Sequence, residues 1–161
     1  MLVLRAILFT ILLPGVLALY VPWLIRERPA AAAHWPGLIL SAAGAAGYSV
    51  CALEFLLRGG GTPALYLTRP LRFLIGEEPQ MLIQGALYRY TRNPMYVSVV
   101  SIVLGRAWFF ASPALLVYAI VLWTFFHLVV VFVEEPHLRR REGYADYCRR
   151  VPRWLLPYVR K

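Results

Sequence analysis

Residues 97–133 read VSVVSIVLGRAWFFASPALLVYAIVLWTFFHLVVVFV, a nearly continuous apolar stretch that is broken at Gly105-Arg106 and at Ser112-Pro113. A stretch of this length with a central break is sufficient for two helices that cross a membrane. Two such helices form a hairpin, which returns the chain to the side of the membrane that it left. We therefore expect the polar residues on either side of this stretch to lie close together at one membrane face.

Before the hairpin, residues 88–96 read YRYTRNPMY. Asn93 and Pro94 are typical of a helix N-cap followed by proline at the first helical position. The positive end of the helix dipole would then lie beside the motif, where backbone N–H groups and Arg92 could bind a carboxylate. The tyrosine faces could hold a sulfonium or ammonium cation. The alternative is that the tyrosines and arginines only anchor the chain at the membrane interface.

After the hairpin, residues 134–138 read EEPHL. Glu134 and Glu135 stand at the hydrocarbon boundary and at a helix C-terminus, and both locations disfavour negative charge. Side chains in such places usually have a partner. One alternative is an ion pair with Arg92 or Arg139. The other is that one carboxylate binds the ribose hydroxyls or the amino group of a nucleoside–amino acid ligand.

Pro136 predicts the end of the last membrane helix and the start of an amphipathic helix at about residues 137–150. We expect one side of this tail to lie on the membrane while the neighbouring arginines contact lipid headgroups. The residues of the membrane-facing side are Leu138, Tyr144, Tyr147 and Val151.

Composition indicates a membrane protein as well. The 161 residues are 60% hydrophobic and 16% charged, whereas a soluble domain is about 45–50% apolar and about 25% charged. The apolar residues are concentrated in four runs, of which the third is the shortest, at residues 3–25, 35–57, 94–111 and 113–133. We therefore predict an all-α, polytopic membrane protein with about four transmembrane helices and a C-terminal amphipathic helix. A cleaved signal peptide is the competing interpretation of the first run. It is disfavoured because Arg26-Glu27-Arg28 follows this run, where a signal peptide would have the small residues of a cleavage site.

The distribution of basic residues predicts the orientation. With four spans, three of the 17 Lys and Arg residues (Arg26, Arg28 and Arg106) lie on one side, and the other fourteen lie on the side of both termini. The positive-inside rule predicts that this second side is cytoplasmic, in a bacterial inner membrane. Anionic headgroups explain the net charge of +9, so we expect no nucleic-acid partner. We also expect no bound metal, and no disulfide between Cys51 and Cys148 in a reducing compartment.

The chain resembles the isoprenylcysteine carboxyl methyltransferase superfamily, which includes phospholipid N-methyltransferases. The resemblance rests on four segments, namely residues 84–96, the apolar hairpin, residues 134–138 and residues 144–157. It covers roughly residues 59–157. The resemblance implies an S-adenosylmethionine-dependent enzyme whose cofactor pocket is built on the last two membrane helices. It also implies two parts of the chain, an N-terminal transmembrane hairpin at residues 1–58 and a methyltransferase-like region at residues 59–161.

By this resemblance, S-adenosylmethionine would contact both motifs and the tail. The implied cofactor contacts are Tyr88, Arg92, Asn93, Pro94, Tyr96, Glu134, Glu135, Leu138 and Tyr144. Arg92 would bind the carboxylate of the methyl donor, and Glu135 would bind its ribose or its amino group. The acceptor would be a lipid, or a lipidated or hydrophobic molecule, with a carboxylate, an amine or a thiol as the methylated group.

The acceptor chemistry leaves alternatives open. An ammonium acceptor must lose a proton, and the weak candidates for a base are His127 and His137; a packed helix histidine is the other interpretation of His127. The long loop from Gly59 to about Tyr90 is a candidate lid. A membrane subunit or carrier without enzymatic activity, built on the same hairpin, is the alternative function.

Overall fold

The structure, a computed structural model, describes residues 2–25, 34–59 and 82–155. These residues form helices and turns, without a strand. The helices are α1 (Leu4–Ile25), α2 (Trp35–Arg58), α3 (Pro94–Phe109), α4 (Pro113–Leu138) and α5 (Tyr144–Arg150). Most of the loop that the sequence suggests as a lid, residues 60–81, lies outside the described residues.

Three of these helices, α1, α2 and α4, are long and apolar enough to cross a membrane. Helix α3 is apolar but has only 16 residues. It therefore extends about 24 Å, less than the roughly 30 Å of the hydrocarbon core. Large apolar side chains lie on the outside of the bundle, and Ile39 and Phe132 are 70% and 71% exposed. The prediction of an all-α, polytopic membrane protein is confirmed.

The turn between α3 and α4 lies where the sequence predicts it. Ala111 has a positive φ of 46°, and the Ser112 side chain accepts a hydrogen bond from the Leu115 N–H at 3.3 Å. Pro113 occupies the first turn of α4. A serine N-cap followed by proline is a strong signal for the start of a helix, so the hairpin turns sharply at this point.

Helix α4 does not end at Pro136, so this prediction is wrong. The helix widens at Val130–Glu134, where the Glu135 N–H donates to the Val130 carbonyl five residues back, and then continues to Leu138. A widened turn changes the hydrogen-bond register, which accommodates the proline ring and its missing N–H. The glutamate pair is therefore held within the helix.

The amphipathic helix that we expected at about residues 137–150 is also corrected. A turn at residues 139–143 interrupts it, and Gly143 has a φ of +78°, in the left-handed region that glycine accommodates. Because this turn redirects the chain, α5 packs its aromatic side into the protein instead of onto the membrane. The buried cluster consists of Tyr144, Tyr147 and Val151, with Leu82, Leu138 and Cys148 around them.

Helices α2 and α3 pack with their backbones in close contact. A Cβ atom on Gly37 would lie 2.5 Å from the Gly105 carbonyl oxygen, and one on Gly44 would lie 2.7 Å from the Ser98 carbonyl oxygen. Only glycine permits this approach, which is a common way of packing membrane helices. The contact brings the end of α2 next to the residues that precede α3.

Helix α1 completes the bundle by packing against α2 and α4. The hydroxyl oxygens of Thr10 and Tyr48 are 3.0 Å apart, and the Tyr118 hydroxyl donates to the Leu17 carbonyl at 2.9 Å. The start of α1 lies beside the last turn of α2. One end of the bundle therefore holds the start of α1, the end of α2, the start of α3 and the end of α4. The division of the chain at residue 58 stays a prediction.

Candidate functional site

The two polar motifs meet where α3 begins and α4 ends. The Tyr96 hydroxyl donates to Glu134 Oε1 at 2.5 Å. Arg92 Nη1 lies 3.0 Å from Glu135 Oε1. The hairpin thus brings the motifs together, as the sequence predicts.

Glu135 is buried, with 4% of its surface exposed, and it contacts two arginines. Arg153 donates to both carboxylate oxygens, from Nε to Oε1 at 2.7 Å and from Nη2 to Oε2 at 2.8 Å. These hydrogen bonds raise the pKa of Arg153 above its usual value. The ion pair with Arg92 that we considered from the sequence is present, but Arg153 was missed. A turn and a helix separate it from the glutamate, and no sequence periodicity links the two residues.

Arg92 is the other cation of this cluster, and its side chain is only 12% exposed. Its Nη1 donates to Cys148 Sγ at 2.8 Å. Its Nε is buried and has no hydrogen-bond partner among the residues that the structure describes. A guanidinium in this state can take a further acceptor, because each of its N–H groups is a donor and an unmet buried donor is costly.

The residues after α5 lie across the first motif, and we call residues 151–155 the C-terminal strap. The Arg92 N–H donates to the Pro152 carbonyl at 2.9 Å. The Thr91 hydroxyl donates to the Arg153 carbonyl at 3.0 Å. The strap is therefore held by main-chain and side-chain bonds to the motif itself.

Asn93 precedes α3 at the N-cap position, as predicted, but its side chain does not cap the helix. The Asn93 amide nitrogen instead donates to the Arg153 carbonyl at 3.0 Å. Pro94 follows in the first turn of α3. The N–H groups of that turn thus keep their positive partial charge beside the motif.

A cavity of about 90 Å³ lies at this end of the bundle. Seven of the nine residues implied as cofactor contacts line it, namely Tyr88, Arg92, Asn93, Glu134, Glu135, Leu138 and Tyr144. Of the other two, Pro94 directly follows a lining residue and Tyr96 contacts Glu134. Small-molecule sites usually have volumes of roughly 300–1,000 Å³, so a nucleoside ligand requires the lining side chains to move apart. The assignment of these residues to a cofactor stays a prediction.

Helix α2 contributes residues that sequence reasoning did not assign to the site. Phe55 lines the cavity and packs edge-on against Tyr88, with ring centroids 5.8 Å apart. The preceding residue, Glu54, is 9% exposed. Its Oε1 forms an ion pair with Arg58 Nη1 at 3.2 Å but accepts no hydrogen bond from the described residues. A Cβ on Gly85 would overlap this oxygen, so the glycine leaves the space that the carboxylate occupies. An acidic residue at the end of an apolar run is the signal that could have found it.

Three buried tyrosines surround the cavity on the side of α5. Burial raises the pKa of Tyr88 well above its usual value, and it raises the pKa values of Tyr144 and Tyr147 as well. The Tyr147 hydroxyl donates to the Tyr88 carbonyl at 2.7 Å. These side chains are neutral phenols, whose faces attract cations.

Neither histidine that the sequence offers as a base lines the cavity. His127 Nδ1 accepts a hydrogen bond from Trp154 Nε1 at 3.2 Å, and Trp154 also packs against Trp123 with ring centroids 4.3 Å apart. His127 is therefore a packed helix histidine, which the sequence left as the alternative. His137 lies in the last turn of α4, between the lining residues Glu135 and Leu138, but does not itself line the cavity. Within the described ranges, no group of three or more His, Cys, Asp or Glu residues could hold a metal ion.

The fold and the site of the described residues define a helical membrane protein whose last hairpin holds charged side chains in a cavity at its open end. The sequence model of the phospholipid methyltransferase family matches residues 42–145, and the chain belongs to this family. No curated protein and no solved structure gives a significant match. The protein is thus a membrane methyltransferase, of a family that generally uses S-adenosylmethionine. The matched residues include both motifs and Glu54, but they end before the C-terminal strap.

Proposed function

We propose that the protein transfers a methyl group from S-adenosylmethionine to the amine of a lipid or of another hydrophobic acceptor. The observation that carries this proposal is the cavity in which Arg92 and the glutamate pair meet, in a member of the phospholipid methyltransferase family. The cavity lies at the end of membrane helices, so a lipid acceptor can reach it from the bilayer without crossing water.

The charge of the site supports a donor carboxylate at Arg92. Two buried or half-buried arginines, Arg92 and Arg153, share the single carboxylate of Glu135, which leaves this cluster with a net positive charge. The buried Nε of Arg92 still needs an acceptor from beyond the described residues. An anionic group bound there would also meet the N–H groups at the start of α3.

The remainder of the cavity supports the nucleoside part of the donor. Glu134 carries a carboxylate that can accept hydrogen bonds from ribose hydroxyls or from an amino group. The neutral faces of Tyr88 and Tyr144 can contact a sulfonium. Of the two glutamates, we therefore assign the donor contact to Glu134, because both oxygens of Glu135 are already bonded to Arg153.

The choice of an amine as the methylated group rests on Glu54. Glu54 is buried, and its Oε1 pairs with the exposed Arg58 but accepts no hydrogen bond from the described residues. An ammonium headgroup can therefore replace Arg58 beside this carboxylate, whereas a carboxylate acceptor would be repelled. Its neighbours Phe55 and Tyr88 connect it to the cavity. The ammonium must lose its proton before it can react.

The reaction mainly requires that the acceptor nitrogen, the methyl carbon and the sulfur are aligned and that water is excluded. The bound donor supplies a methyl group that its sulfonium charge has already activated. The acceptor nitrogen forms a bond to the methyl carbon while the bond from that carbon to sulfur breaks, and the sulfur keeps the electron pair. The side chains of the site would bind the charged ends of both molecules and hold them in line.

A labelling experiment tests the proposed activity. The purified protein in detergent is incubated with methyl-labelled S-adenosylmethionine and with lipids that differ only in a primary amine, a methylated amine or a carboxylate headgroup. We expect label in the amine lipids alone. Label in the carboxylate lipid would overturn the acceptor assignment. Failure to bind the donor or its demethylated product would favour a membrane subunit or carrier without enzymatic activity.

Variants of Glu54 test the acceptor site separately. Glu54→Gln keeps the shape and removes the charge, so we expect the KM for the amine lipid to rise about tenfold while donor affinity is unchanged. Glu142→Gln is the matched control, because it removes an exposed carboxylate from the turn after α4. An unchanged KM in Glu54→Gln would exclude Glu54 from the acceptor site.

A further inference from the structure

We propose that Arg153 is a positioning residue that occupies Glu135 and so leaves the charge of Arg92 available to the carboxylate of the methyl donor. The inference rests on the proposed function, because it concerns how the donor is bound. It assigns a role to the C-terminal strap, which lies outside the part of the chain that matches the family.

Arg153 and Arg92 contact the Glu135 carboxylate in different ways. Arg153 makes two parallel hydrogen bonds to Glu135, at 2.7 and 2.8 Å. Arg92 approaches only Oε1, at 3.0 Å, through the same Nη1 that donates to Cys148 Sγ. A bidentate pair is the stronger arrangement of arginine and carboxylate. Glu135 is therefore bound mainly by Arg153, although Arg92 is the more deeply buried arginine.

The charges of this cluster do not cancel. Glu135 can neutralise one guanidinium, and its bidentate partner is Arg153. Arg92 shares that carboxylate through a single contact to Oε1 at 3.0 Å, its side chain is 12% exposed, and its buried Nε has no acceptor among the described residues. Because two guanidinium groups share one carboxylate and an unmet buried donor is costly, this position favours binding of an anionic group at the cavity wall.

The strap fixes Arg153 relative to Arg92. The main chain of Arg92 bonds Pro152, and the side chains on either side of it, Thr91 and Asn93, both bond the Arg153 carbonyl. The next strap residue, Trp154, is held on α4 by its hydrogen bond to His127. The backbone of Arg153 is thus tied to the first motif while its side chain holds the second.

The inference makes a prediction about rescue. In Arg153→Gln, Glu135 loses its bidentate partner and pairs with Arg92 alone, so we expect affinity for the donor product S-adenosylhomocysteine to fall by about tenfold. In the double variant Arg153→Gln/Glu135→Gln, no carboxylate competes for Arg92. Affinity should then return to within about threefold of the wild-type value.

Calorimetry of the purified full chain in detergent measures these affinities, and thermal unfolding of the same samples is recorded beside them. Arg153→Lys keeps the charge but loses the two-bond fork. We expect Arg153→Lys to weaken binding by less than Arg153→Gln does. It replaces Arg153→Gln in the measurement if the glutamine variant fails to fold. Arg149→Gln is the matched control, because it removes a charge that is 64% exposed from α5, and its affinity should equal that of the wild type.

The outcomes separate the alternatives. Recovery in the double variant supports the inference, since neither a direct contact of Arg153 with the donor nor a purely structural strap would be rescued by a second substitution at Glu135. If the affinity of the double variant is as low as that of Arg153→Gln, the inference is overturned and the proposed function stays intact. The same holds if the affinity is unchanged in both Arg153 variants. Absence of binding in the folded wild type overturns the proposed function itself, and the inference with it.

Discussion

Glu134 and Glu135 are neighbours in the chain, yet they have different surroundings. Successive positions of a helix point about 100° apart, so one carboxylate faces α3 and the other faces the strap. Glu134 accepts the Tyr96 hydroxyl hydrogen bond, whereas Glu135 binds Arg153 and Arg92. An acidic pair at a helix end can therefore divide its roles, one carboxylate binding ligand and the other organising cations.

At the residue scale, the proposed donor site depends most on Arg92. Arg92→Ala removes a charge-assisted hydrogen bond worth roughly 1.5–3 kcal/mol, so affinity for S-adenosylhomocysteine should fall by about ten- to a hundredfold. Calorimetry checks this, with Arg149→Ala as a control for the loss of one surface charge. Unchanged affinity in a folded Arg92→Ala protein would remove Arg92 from the donor site.

At the scale of the helices, the position of the cavity depends on the contact between α2 and α3. The backbones are in contact at Gly44 of α2 and, further along, at Gly105 of α3. This packing places Phe55, at the end of α2, in the cavity wall. A change in the middle of this contact should therefore alter the site at its end, although neither glycine lines the cavity.

Substitution at Gly44 tests this contact. In Gly44→Leu, the new side chain would overlap the Ser98 carbonyl and the Ile102 backbone of α3, which approach a Cβ to 2.7 and 2.9 Å. We expect a loss of about 1–3 kcal/mol or more, seen as a lower thermal midpoint, together with weaker donor binding. Ala46→Leu adds the same side chain on the exposed side of α2 and should leave both unchanged. Equal midpoints for the two variants would refute the close-contact interpretation.

The helices could be predicted from the sequence because burial in lipid requires long apolar runs with punctuated ends, such as Ser112-Pro113. The meeting of the motifs followed from the hairpin for the same reason. Two features could not be predicted in this way. The effect of Pro136 depends on a widened turn that tertiary packing stabilises. The hydrogen bonds from Arg153 to Glu135 depend on the direction that α5 takes after the turn at Gly143, and no local sequence pattern specifies this direction.

At the scale of the whole molecule, the site lies at the end of the bundle that gathers the basic residues. The start of α1, the end of α2 and both polar motifs share this end. Among the described residues, Arg58, Arg92 and Arg153 lie at it, whereas Arg106 belongs to the opposite end of α3. Anionic headgroups at the cytoplasmic surface would attract this end by about 1 kcal/mol for each basic residue near the surface. We propose that the methyl-transfer site faces the cytoplasm, where the donor is made available.

Reporter fusions test this orientation. A reporter after Lys161 and one inserted near Gly76 should both be cytoplasmic, because the four spans predicted from the sequence assign fourteen of the 17 basic residues to that side and assign Arg26, Arg28 and Arg106 to the other. A reporter inserted next to Arg28 is the matched control, since it should report the opposite compartment. A periplasmic signal from either of the first two fusions would contradict the proposal. The start of α3 and the end of α4 could then no longer stand on one cytoplasmic face, and a donor from the cytoplasm could not reach Arg92.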